Sequence, residues 1–185
     1  MHMTTRVTPN PSFKADPPTA VRLSQTLGVM RPSDMLDRIK SVEWWRHAQP
    51  EWNKPTSVAD ALAKVVQSEN GAYDSLLYAV GNNHAGTYYP VLLVVMPFLE
   101  EIIHSGGPSQ QRIALSLFDD LFASFHPEPG YEETETPDVG RQNVELEFKQ
   151  RVRALVPTLK AIVANGGANS SLAQQLVCLA VENAA

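Results

Sequence analysis

The sequence predicts an all-α fold: a short α-solenoid of about three helix pairs behind an N-terminal helical cap. Three observations carry this. Apolar residues recur three and four positions apart in successive segments, as in Val58, Ala61, Leu62, Val65 and Val66. Turn-forming glycines and asparagines separate those segments at Asn70-Gly71, Gly81-Asn82-Asn83, Gly106-Gly107 and Gly166-Gly167. No stretch alternates apolar and polar residues with a β-branched bias, so no sheet is expected.

The chain has 185 residues, 43% of them hydrophobic and 19% charged, which suits one packed core and excludes a disordered polyampholyte. Residues 1–18 hold Pro9, Pro11, Pro17 and Pro18 among small polar residues and read as an extended or disordered tail. Residues 19–56 read as the cap. A short helix is expected over 19–27, then one opening at Pro32, with Ser33 or Asp34 as N-cap and Met35, Leu36, Ile39, Val42 and Trp45 on one face. Residues 57–185 read as the repeats. Ser57 is the expected cap of the first helix, and Tyr73, Leu76, Leu77 and Val80 mark the second. Pro90 opens a third through Ile103, kinked at Pro97, and Pro108 a fourth through Phe122. A polar insert over 126–147 follows, then a helix over 144–164 and a last one over 170–182.

The helices repeat. Ala61-Leu62-x-x-Val65-Val66 aligns with Phe98-Leu99-x-x-Ile102-Ile103 at an offset of 37, and again with Thr158-Leu159-x-x-Ile162-Val163 a further 60 on. A two-helix unit of about 40 residues lies in the HEAT and armadillo range, and the longer second interval matches the insert. Trp45, the apolar helix over 59–66, the run His84-Ala85-Gly86-Thr87-Tyr88-Tyr89-Pro90 and then Pro97-Phe98-Leu99 resemble bacterial HEAT-like proteins, which show a His-x-Gly-Thr-x-Tyr-Pro turn before a Pro-Phe-Leu helix. Val156-Pro157-Thr158-Leu159 is similar to the start of a later repeat in that group. The resemblance spans roughly residues 42–183. The last repeat departs from it, with Ser170-Ser171-Leu172 where an arginine is usual. The resemblance implies a protein-binding role, since such proteins are often encoded beside secreted bacterial toxins and serve as their immunity proteins.

Motifs for catalysis are weak. His84 beside Gly86 reads as a connector, with Gly86 at positive φ and Thr87 capping the next helix. Glu101-x-x-His104 has di-iron spacing but no second copy, and the five histidines show no His-x-x-x-His spacing. No Gly-x-Ser-x-Gly, Gly-x-Gly-x-x-Gly or Walker loop is present. The lone Cys178 is expected on the buried face of the last helix, and its being single points to a reducing compartment. At least two of Trp44, Trp45 and Trp52 are expected to cover the open end of the first repeat. No metal, cofactor or enzymatic activity is expected.

Charge placement is the functional lead. Residues 126–147 carry seven acidic side chains and one basic, and residues 57–125 seven and two, while both ends are mildly basic. A central net charge of −11 repels nucleic acid and attracts a basic protein. The expected partner-binding residues are Glu128, Tyr131, Glu132, Glu133, Glu135, Asp138 and Glu145 in and beside the insert, extended by Glu100, Glu101, Asp119 and Asp120. The expectation is an immunity protein that binds a cognate toxin with a basic surface. A HEAT scaffold for a cellular partner is the alternative, and a HEAT-like DNA-repair enzyme is disfavoured by the charge. Residues 1–5 lack a basic segment ahead of an apolar one, and the most apolar run, 91–99, is far below the ~20 residues of a membrane span, so a cytoplasmic location is expected.

Overall fold

A computed structural model describes residues 31–136 and 140–182. The tail over 1–18, the short helix over 19–27 and Asp138 lie outside the described residues. Among the described residues, eight α-helices carry the fold: α1 (Pro32–Ser41), α2 (Ser57–Gln67), α3 (Ala72–Val80), α4 (Val91–Ser105), α5 (Pro108–Ser124), α6 (Val144–Ala154), α7 (Val156–Ala164) and α8 (Ser170–Glu182). The chain is thus mostly helical, as its periodicity predicts.

Most of the α-helices bury an apolar stripe, while α7 buries only Leu159. In α2 it is Val58, Ala61, Leu62, Val65 and Val66, and in α4 Leu92, Val95, Met96, Leu99, Ile102 and Ile103. Helix α5 lies at the centre, packing on α2, α3, α4 and α8, while α7 packs on α8 and α2 on α3. The helix starts differ from expectation. Pro32 occupies the first turn of α1 and Arg31 precedes it as N-cap, while Ser33 turns its hydroxyl to Asp34. Thr56 precedes α2, and the Ser57 hydroxyl instead accepts from the Lys54 amide at 2.9 Å. Helix α1 stops at Ser41, so the face predicted to reach Trp45 does not: Trp44 is buried and Trp45 is 61% exposed.

The helix expected over 144–164 is two helices broken at Leu155. Pro157 explains the break, because it lacks an N–H and its ring crowds the carbonyl four residues back. Pro97 has a milder effect. Helix α4 runs through it, and the Leu93 carbonyl, which Pro97 leaves without its helical donor, accepts from the Arg151 guanidinium at 3.3 Å. Arg151 also pairs with both Glu100 oxygens, at 2.8 and 3.0 Å.

The expectation of no sheet is overturned. Strands β1 (Gly81–Asn82), β2 (Thr87–Tyr88) and β3 (His126–Pro127) form one small sheet, and β4 (Glu133–Thr136) and β5 (Gly140–Asn143) an antiparallel hairpin. These strands have two to four residues, too short for periodicity to reveal. Gly81 is required where it stands: a Cβ there would lie 2.4 Å from the Thr87 carbonyl oxygen. Gly86 has φ 66°, as its turn position demands. Thr87 does not cap a helix. It lies buried in β2, and its hydroxyl donates to the Glu128 carboxylate.

Candidate functional site

The insert is anchored at both ends rather than hanging as a loop. At its start, β3 lies parallel to β2, with the His126 amide donating to Gly86 at 3.1 Å and the Glu128 amide to Tyr88 at 2.8 Å. Tyr131 then packs on Tyr89, ring centroids 5.1 Å apart. At its end, the Asn143 side chain accepts from the Leu146 amide at 2.8 Å and caps α6. Phe148 on α6 is fully buried among Tyr88, Phe118 and Phe122. Between these anchors stands the β4–β5 hairpin.

Strand alternation puts Glu133 and Glu135 on one face of β4, opposite Asn143 and Arg141 on β5. All four are exposed. With Gly130 and Glu132 they line a shallow concavity of about 500 Å³. Glu132 accepts the Gly130 amide on both oxygens at 3.1 Å. Its own amide and that of Gly130 hold its carboxyl below the usual carboxylate value, so it stays ionised under mildly acidic conditions. Arg141 pairs with Glu133, with the arginine side chain 77% exposed. Glu135 has no ion pair among the described residues.

The remaining predicted residues are engaged within the protein. Glu128 takes the Thr87 hydroxyl, and Glu145 pairs with Lys149 one turn along α6 at 2.5 Å. Glu100 is held by Arg151, and Glu101 by Arg38 at 2.5 Å. Asp120 accepts the Tyr73 hydroxyl. Asp119 is buried and accepts from Gln175 at 2.8 Å across the α5–α8 seam. Its carboxyl is raised above the ordinary value, first by burial and then by Asp120. Tyr73 is likewise raised, by burial first and then by its bond to Asp120. The structure therefore brings Glu132, Glu133 and Glu135 together and ties the helical carboxylates to partners within the protein.

Two further sequence expectations are corrected. Cys178 is exposed, its sulfur 3.4 Å from the Gln174 amide nitrogen. The buried stripe of α8 is Ala173, Leu176, Val177 and Ala180, which turns position 178 outward. The tryptophans do not share one capping surface. Trp44 is buried against Phe98, at 5.9 Å, whereas Trp52 stacks on Tyr78 at 5.2 Å.

Sequence reasoning missed the groove built on that second pair. Trp52, Asp74, Leu77, Tyr78, Asn82, Asn83 and His84 line a depression of about 400 Å³. The available signal was the spacing of Asp74 and Tyr78, four apart and so on one helix face. Among the described residues, no three His, Cys, Asp or Glu side chains cluster as a metal group, and no helix is long and apolar enough to cross a membrane. Comparisons with protein-family models, curated proteins and solved structures find no match to this chain.

Proposed function

We propose that this chain is a cytoplasmic immunity protein: a short stack of HEAT-like helix pairs whose acidic hairpin docks on a basic surface of a secreted toxin and blocks it. The carrying observation is the hairpin, which presents Glu132, Glu133 and Glu135 to solvent on a frame anchored at both ends. The stacked-pair reading is supported by packing: α3 touches α5 and α5 touches α8, as the second helices of neighbouring pairs do in a solenoid. A carboxylate cluster ordered in advance loses little freedom on binding and steers a basic partner by long-range attraction. The toxin as partner follows from the family resemblance of the 84–90 turn and the Pro97-Phe98-Leu99 helix.

The test is co-expression with the product of the neighbouring gene. The expected outcome is a stable complex and survival of cells that otherwise succumb to that product. Replacing Glu132, Glu133 and Glu135 with lysine should slow association at least ~10-fold at low salt, with the difference shrinking as salt rises. An unchanged on-rate removes the electrostatic role of the hairpin. Absence of any complex removes the immunity reading.

A further inference from the structure

The groove beside Trp52 and Tyr78 carries groups that the acidic hairpin does not use. Trp52 is 40% and Tyr78 58% exposed, although both are large aromatic side chains. Their rings meet tilted at 36°, and the Trp52 indole N–H donates to the Tyr78 carbonyl at 3.2 Å. Asn53 reinforces the same edge by donating to the Ala79 carbonyl at 2.7 Å. The aromatic pair is therefore held in place before any ligand arrives.

Asp74 lies one turn before Tyr78 on α3, on the same helix face, with buried Leu77 as the floor between them. The Asp74 carboxylate has no ion pair among the described residues. Opposite stands the turn Asn82-Asn83-His84, where the Asn82 side-chain oxygen already accepts from the amides of His84 and Ala85, at 3.1 and 3.3 Å. No lysine or arginine lines the groove. Two π faces, a carboxylate without an ion pair among the described residues and no lysine or arginine in the lining are the complement of a planar cation. Guanidinium stacks on aromatic faces and bonds a carboxylate through its fork of N–H donors. A depression of about 400 Å³ has room for such a side chain.

We infer that this groove is a receptor for an arginine side chain of the protein partner, stacked on Trp52 and Tyr78 and paired with Asp74. The assignment rests on the partner-binding reading only for the source of the arginine; the groove's chemistry stands without it. The β1–β2–β3 sheet joins the Asn82–His84 turn to the start of the insert, so the groove and the acidic hairpin are tied to one framework.

The experiment is a titration of the full chain with N-acetyl-arginine amide, followed by the NMR signals of the Trp52 indole N–H and the Tyr78 ring. Its neutral isostere N-acetyl-citrulline amide is run beside it. The expected result is a saturable shift at millimolar probe that citrulline does not produce. Asp74→Asn and Tyr78→Ala should each weaken it about fivefold or more. Both positions are exposed, and unchanged thermal unfolding confirms intact folding. Equal response to citrulline overturns the assignment in favour of an uncharged ligand, and indifference to both substitutions overturns it as non-specific. Because no toxin enters this titration, its failure is distinct from failure of the co-expression test.

Discussion

The helical body and the hairpin carry similar acidic side chains but use them differently. In the body, Glu100, Glu101, Asp119 and Asp120 each meet a residue from another element: Arg151, Arg38, Gln175 and Tyr73. In the hairpin, Glu132 and Glu133 bond only within the insert and Glu135 has no ion pair among the described residues. Side chains of the same charge thus take two roles. A carboxylate facing a neighbouring helix is drawn into contacts between elements, whereas one on the two-stranded ribbon bonds only within the insert and keeps a face open to an external partner.

The sharpest challenge to this division is at the seam joining the two regions. Phe148 on α6 fills the space among Tyr88, Phe118 and Phe122. Phe148→Ala should cost about 3–5 kcal/mol in urea unfolding, since it leaves a cavity under the frame that carries the hairpin. A loss below ~1 kcal/mol would mean that the insert is not integral to the core.

Arg151→Ala should cost about 2 kcal/mol, less than a fully buried pair because both side chains keep roughly a quarter of their exposure. It strips a partner from Glu100 and leaves the Leu93 carbonyl, already without a helical donor because of Pro97, unbonded. The hairpin counterpart, Arg141→Ala, should change stability by no more than ~0.5 kcal/mol, because its ion pair faces water. If the two arginines proved equal, body and hairpin carboxylates would not differ.

Asp119 tests the division through pH. Its folded-state value is raised above the ordinary 3.8, so its contribution favours folding most below that value and is lost as pH rises through the folded value. Asp119→Asn should therefore raise the melting temperature at pH 7, an advantage that fades as pH falls toward 3.8. Thermal unfolding across pH measures it, and no change in the pH dependence would show that the buried carboxylate is not strained.

The sequence by itself determined the helical character and most of the buried stripes, because a 3.6-residue period writes the core face directly into the order of residues. Val58, Leu62, Val65 and Val66 are buried as that period demands, and Gly86 takes its positive φ. Misreadings arose where the signal was short or one residue overrode the period. Pro157 divided a helix that the apolar spacing alone continued, and the stripe through Ala173, Leu176, Val177 and Ala180 turned Cys178 outward. Tertiary structure alone decided which carboxylates are free. Arg38 and Glu101 stand 63 residues apart, Asp119 and Gln175 56, and nothing local in the chain pairs them. Strand β3 of the insert shares that origin, because its partner β2 lies on another segment and the pairing exists only once the helices have brought the two together; β4 and β5 pair with each other locally.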